Sequence, residues 1–183
     1  MACRIDGAVV RYRLGVAIPE FIVALRRRIG HDPLWLMAAS GVVLRTIDGV
    51  GHVLLVRRTD DGEWTVTAGV VDPGEEPSAA AEREVLEEAG IVCRAERLAW
   101  VYVEPPKVHE NGDQAQYLQL VLSASWLSGE PRPADSESTD ARWCPVAELP
   151  PMRPYQRARI AAALADGPTW LGHDEGMRRA GES

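Results

Sequence analysis

Apolar and polar positions along this chain switch between a helical spacing and strand-like runs, and the switches mark its elements. PEFIVALRRRI, residues 19–29, sets apolar residues at helical spacing behind a first-turn Pro19 and halts at Gly30, which predicts a short helix. HDPLWLMAASGVVLRTIDGVGHVLLVRR then gives two β-rich runs around Asp48-Gly49 and Gly51, a hairpin signal. EWTVTAG is strand-like as well. A helix is predicted from Pro77, which fits a first helical position, to Ala89, with Gly90 as its stop. Its apolar stripe of Ala80, Ala81, Val85 and Leu86 is narrow and mostly small, suited to close packing on a sheet. RLAWVYVE and AQYLQLVLSASWL follow as strands separated by PPKVHENGDQ, in which Asn111-Gly112-Asp113 reads as a turn. Trp143 to Val146 predicts one more short strand, PYQRARIAAAL a C-terminal helix, and GPTWLGHDEGMRRAGES a loose tail. Mixed strands around a central helix predict an α/β (α+β) sandwich with a mixed β-sheet.

The chemistry concentrates in GVVDPGEEPSAAAEREVLEEAGI, residues 69–91. A helix turns about 100° per residue, so Glu84, Glu87 and Glu88 share one face. Like charges four apart, as at Glu84 and Glu88, destabilise a helix by a few tenths of a kcal/mol, which leaves this face without a stability rationale unless a cation joins it. The plainer alternative is a solvated face with intrahelical pairs such as Arg83 with Glu87. Clustered hard oxygen donors suit Mg²⁺ or Mn²⁺, which take one or two carboxylates, waters and substrate phosphates. TAGVVDPGEE just upstream supplies a Gly-containing loop whose backbone can approach a ligand closely, with Glu75 at its end.

The segment reads G-x5-E-x7-R-E-U-x-E-E-x-G-U, with U aliphatic, and is met at Gly69, Glu75, Arg83, Glu84, Val85, Glu87, Glu88, Gly90 and Ile91. It resembles the box of the Nudix hydrolase family. A chance match in a chain of this length is on the order of one in ten million. The resemblance covers about residues 33–164 and implies a Nudix-type α/β/α sandwich with a catalytic loop-helix. The domain would run over 33–165, after an N-terminal extension with a short helix (1–32) and before a C-terminal tail (166–183). It also implies metal-dependent hydrolysis of a nucleoside diphosphate linked to another moiety. Glu84, Glu87 and Glu88 would hold the metal together with the Ala68 carbonyl, Arg83 would orient a glutamate, and Glu75 would help position metal or water. A later-loop carboxylate often serves as general base in the family, and Glu137 is the first candidate here, with Asp135 and Glu130 as competitors. Relatives that cleave ADP-ribose often carry a proline beyond the box, which points to Pro106 and favours ADP-ribose or a nucleotide sugar. A house-cleaning nucleoside triphosphate pyrophosphohydrolase shares the metal site, and a non-catalytic Nudix-like sensor is opposed by the intact glutamates.

Composition narrows the partners. At 183 residues with 46% hydrophobic and 26% charged residues the chain reads as one globular domain with room for extensions. MACRIDGAVVRYR shows no secretory segment and no apolar run reaches membrane-spanning length, so a cytoplasmic protein without a membrane partner is expected. A net charge of −7 speaks against broad nucleic-acid binding and leaves a small-molecule nucleotide as the partner; a homodimer is compatible with this reading. An anionic substrate then needs local cations, for which Arg57 and Arg58 are candidates, and Trp64, Trp100, Tyr102 or Tyr117 could stack on a base. His109, in the loop after Pro106, reads as a solvated histidine. Cys3, Cys93 and Cys144 lie too far apart in sequence for a Cys-x-x-Cys zinc motif and read as small buried hydrophobes.

Overall fold

The computed structural model describes residues 18–181. The readings made on Cys3 and on MACRIDGAVVRYR lie outside the described residues. Helix α1 (Glu20–Ile29) precedes β1 (Leu34–Ile47) and β2 (Val50–Arg58). The two strands are joined at Asp48 and Gly49 with φ of 50° and 81°, the positive pair that a two-residue hairpin turn requires. EWTVTAG divides at Val66 into β3 (Trp64–Thr65), which pairs with β2, and β4 (Thr67–Val70), which pairs with β1. Then come α2 (Pro77–Ala89), β5 (Val92–Val103), β6 (Lys107–Val108), β7 (Gln114–Ser128), β8 (Ser138–Pro145), α3 (Pro154–Leu164), β9 (Trp170–Leu171) and α4 (His173–Arg179). The strand order is β3-β2-β1-β7-β5-β9, with β4 on β1, β6 on β7 and β8 on β2; β1/β7 and β5/β9 are parallel, so the sheet is mixed.

Strand alternation explains the sandwich. Val42, Val53 and Leu55 point to the face covered by α3, through Ala158 and Ile160. Their neighbours Val43, Leu54 and Val56 point to the opposite face, where α2 lays Val85 and Ala89. Each such aliphatic side chain, fully buried, stabilises the fold by about 1.5–3 kcal/mol, so both helices are held by the sheet rather than by their own propensity. Helix α2 ends as expected at Gly90, whose φ of 68° is left-handed and whose N–H bonds the Leu86 carbonyl. Leu86 itself is corrected: it is half exposed, and Glu88 and Ala89 complete the inner face. One step of about 100° beyond Val85 carries Leu86 off the row of Ala81, Val85, Glu88 and Ala89.

The first and last elements of the described residues are tied to this core. Arg26 of α1 donates to the carbonyls of Asp32 (2.5 Å) and Gln114 (2.7 Å), and Ile22 packs on Leu36 and Ala115. The loose tail read for residues 167–183 is also corrected over its described part, 167–181. Trp170 is buried, β9 pairs with β5 at Trp100 and Val101, and Met177 packs into the same cluster. A few apolar residues between glycines carry no period, and their partner Trp100 is remote in sequence, so the docking leaves no local signal. Cys93 and Cys144 are buried free thiols, as expected. Among the described residues no helix is long and apolar enough to cross a membrane.

Candidate active site

The acidic helix is placed against β4 by one missing side chain. A Cβ built on Gly69 would fall 1.8 Å from Oε1 of Glu84, so only glycine lets that carboxylate lie against the strand backbone. One turn later Glu88 is 7% exposed and accepts the Ala68 N–H at 3.0 Å. Arg83 gathers the others. Its Nε and Nη2 donate to the two oxygens of Glu75 at 2.9 and 3.0 Å, Nη1 to Glu84 at 2.6 Å and Glu87 at 3.1 Å, and Nη2 also to the Val70 carbonyl at 3.2 Å. The Arg83–Glu87 pair of the plainer alternative is thus present, and Arg83 also supplies a cation to Glu75 and Glu84. Glu88 stands apart from it, buried and held by a backbone N–H.

The charges show the consequence. The Arg83 hydrogen bonds hold Glu75 below the usual carboxylate range and the guanidinium above its own. Burial pushes Glu84 up against the pull of Arg83, and pushes Glu88 well up, with Glu84, Glu137 and Asp135 adding repulsion. Glu137 is raised to about 7, by burial first and then by Asp135 and Glu84. It sits one residue before β8, where its carbonyl accepts the Thr59 N–H at 2.8 Å and its N–H donates to Asp135 at 2.9 Å. The fold thus brings Glu84, Glu88 and Glu137 into one electrostatic neighbourhood, with Asp135 beside them. Glu130 is exposed and faces Arg45 at 3.6 Å.

A pH dependence follows. The Glu137 carboxyl titrates higher in the folded protein than its ordinary value of 4.5, so its stabilising contribution is complete below about 4.5 and is lost as pH rises through about 7. In chelator the melting temperature should fall across that window, and Glu137→Gln should flatten the fall. Because cations bind the deprotonated carboxylates, stabilisation by added Mg²⁺ should grow over the same range. Melting curves from pH 5 to 8 with and without Mg²⁺ test this, and a Mg²⁺ shift independent of pH would contradict it.

Of the box glutamates Glu88 lines a cleft of about 340 Å³, which Glu137 lines as well. Its lining includes Ala68, Gly69, Glu88 and Glu137, and Arg58, anchored by Asp60. Arg57 and Trp64, expected at the substrate, lie outside it. Arg57 donates to the Gly62 carbonyl, and both line a second depression, where Arg142 covers the Trp64 ring at 4.1 Å. Pro106 is exposed and outside the lining, although its neighbour Lys107 is part of it. The lining also includes Tyr117, one of the stacking candidates, and residues missed in the sequence: Glu104 just after β5, Gln119 of β7, and Tyr155, Gln156 and Arg159 of α3. One signal was available, since Gln119 interrupts the apolar strand β7; it is buried and donates to Ser40 Oγ at 2.7 Å.

A NUDIX domain model matches residues 35–164 of this chain. The chain belongs to the Nudix hydrolase family. It is 31% identical over 144 residues to the MutT-like protein of Streptomyces ambofaciens, a match covering 78% of this chain and 86% of that protein. To the 8-oxo-dGDP phosphatase NUDT18 of Mus musculus it is 33% identical over 141 residues, covering 75% of this chain but only 39% of the mouse protein. The chain therefore spans about two-fifths of the length of that mouse relative. Among solved structures, an ADP-ribose pyrophosphatase from Streptococcus suis superposes with a TM-score of 0.52 at 20% identity, over 75% of this chain and 98% of that one, a likeness of fold alone.

Nudix hydrolases generally use divalent metal ions, and the residues here fit one. The donors are carboxylate and carbonyl oxygens, and the absent Cβ of Gly69 lets the Glu84 carboxylate lie beside the β4 backbone, one residue after Ala68. Among the described residues no three acidic, histidine or cysteine side chains form a finished cage. Such a partial set is what Mg²⁺ uses when waters and substrate phosphates complete its shell.

Proposed function

We propose that this Nudix hydrolase cleaves the diphosphate linkage of a nucleoside diphosphate derivative with Mg²⁺ as cofactor, Mn²⁺ being able to replace it. The observation that carries this reading is that buried Glu88 and Glu137, its pKa raised to about 7, line one cleft together with Gly69, on which Glu84 packs. Glu84 and Glu88, with the Ala68 carbonyl, would hold the cation, and Glu87 would reach it from the exposed rim. When bound, the cation neutralises phosphate charge and makes a neighbouring water more acidic. Glu137 accepts that water's proton as general base, its raised pKa suiting transfer near neutral pH. The water oxygen bonds phosphorus as the bridging P–O bond breaks, and the leaving phosphate keeps the electron pair. Arg58 on the cleft wall pairs with a phosphate oxygen. Arg83 keeps Glu75 and Glu84 in place while this happens.

ADP-ribose and nucleotide sugars lead the substrate class, as the sequence suggests. 8-oxo-dGDP joins them because the mouse relative is a phosphatase for it. Triphosphates are the runner-up, and product identity separates the classes: a nucleoside monophosphate plus a sugar phosphate, or plus orthophosphate from 8-oxo-dGDP, against a monophosphate plus pyrophosphate. The test is a panel of these compounds with Mg²⁺. Turnover of at least one diphosphate derivative is expected, with loss on adding chelator and a higher kcat/KM than for any triphosphate. Chelator-resistant turnover, or none on the whole panel, would refute the proposal.

A further inference from the structure

Residues after 164 fall outside the span matched by the family model, yet the segment that follows reaches the substrate cleft through a series of close contacts. Gly176 of α4 lies flat on Trp100: a Cβ there would stand 2.2 Å from the indole ring. The Trp100 Nε1 donates to the Gly172 carbonyl at 2.8 Å, so the ring is fixed in its plane as well. Trp100 stacks on Tyr102 at 3.9 Å and 25°. The Tyr102 hydroxyl accepts both Nε and Nη2 of Arg159, at 3.0 and 2.8 Å. Nη2 then donates to Oε1 of Glu104 at 2.6 Å, and Arg159 and Glu104 both line the cleft.

We propose that β9 and α4 brace Arg159 and Glu104 as the face that receives the nucleobase of the substrate. The inference rests on the nucleotide reading of the site and assigns its uncharged end. Arg159 is 3% exposed, and a buried ion pair contributes little net stability over apolar residues of the same volume, so a purely structural role gives no reason for it. The pair carries no net charge, which suits a neutral group offering hydrogen-bond donors and acceptors better than a phosphate. Tyr155, whose ring lies 5.2 Å from the Arg159 guanidinium, lines the same wall and offers a flat surface for stacking. The phosphates are left to Arg58 and to the carboxylates proposed to hold the cation, of which Glu88 lines the same cleft, as does Glu137.

Two variants test the brace. Tyr102→Phe keeps the stack on Trp100 and removes only the hydroxyl that aims Arg159. Gly176→Ala pushes α4 off Trp100. Binding of AMP, GMP, CMP and UMP is followed by calorimetry in chelator, beside ribose 5-phosphate as the probe without a base. For each nucleotide the parent binds, Tyr102→Phe should weaken binding about tenfold, while ribose 5-phosphate changes less than twofold. Gly176→Ala should act in the same direction, and the double variant should be no weaker than the worse single one, because both act through one contact. In turnover, KM should rise with kcat held within twofold. Equal weakening of ribose 5-phosphate, unchanged nucleotide binding in Tyr102→Phe, a loss confined to kcat, or a parent that binds no nucleotide would each overturn the inference. Should Gly176→Ala fail to fold, Tyr102→Phe decides alone. A parent that binds nucleotides but hydrolyses nothing with Mg²⁺ refutes the hydrolase reading and leaves the binding comparison to judge the brace.

Discussion

Glu88→Gln should lower kcat/KM by about 10²-fold or more, whereas Glu87→Gln should cost less than a tenth as much, although the two residues are neighbours in the same motif. Burial separates them. The Glu88 side chain is enclosed, aimed at the Ala68 backbone and raised well above the usual carboxylate range, so its negative charge is costly until a cation arrives. The Glu87 side chain is 54% exposed and its contact is the 3.1 Å pair with Arg83, so water can replace what it offers a metal. Stability should move the opposite way to activity. In Glu88→Gln the amide oxygen of the new side chain would still accept the Ala68 N–H while the buried charge disappears, so in chelator the variant should melt no lower than the parent. The parent should gain stability on adding Mg²⁺, as expected when a ligand binds only the native state, and Glu88→Gln should gain less. Rates in Mg²⁺ measured beside melting curves decide it. A larger rate loss in Glu87→Gln than in Glu88→Gln would sink the assignment.

The box was legible because its chemistry fixes its spacing. Gly69 must be glycine for Glu84 to lie on the strand, Arg83 must sit a turn from Glu87 to hold it, and Gly90 must accept the left-handed φ that ends the helix. The main strands, α2 and α3 were also legible, since each pattern runs longer than its turn signals. What escaped was whatever depends on elements meeting across the fold. Arg57 and Arg58 look alike in sequence, and the register shift between them in the β2/β8 pairing is invisible there, yet Arg58 lines the cleft and Arg57 the other depression. Period-two alternation says that neighbours face apart, not which of them faces the site. Arg159 sits in an Ala-rich helix where it reads as a solvated charge; its burial becomes visible only when β5 brings Tyr102 and Glu104 beside α3. Glu137 could be picked from the segment before Trp143, but its place at the cleft is fixed by Thr59 at the end of β2.

Arg83→Ala should destabilise the metal-free protein by about 1–3 kcal/mol and cut activity by about 10²-fold, and Arg83→Lys should recover only part of either. The arginine is partly exposed, at 32%, so each of its ion pairs alone is screened and modest. Its effect comes from serving Glu75 with two parallel bonds and Glu84 with a third, where both carboxylates are at most 18% exposed and would otherwise face each other unpaired. A lysine keeps the charge but presents a single point, so it cannot grip Glu75 through both oxygens while reaching Glu84. The same reasoning fixes the response to metal. In the parent Arg83 already neutralises part of the acidic face, so Mg²⁺ adds less. In Arg83→Ala that compensation is gone, and the gain in melting temperature on adding saturating Mg²⁺ should exceed the parent's even though activity is lower, because Glu84 is then free of the orientation that turnover needs. Melting curves across a Mg²⁺ titration, with kcat/KM for parent, Ala and Lys variants, provide the test. A lysine variant equal to the parent would show that charge alone suffices. An alanine variant with no greater Mg²⁺ response would show that Arg83 does not compensate the carboxylates in the absence of metal.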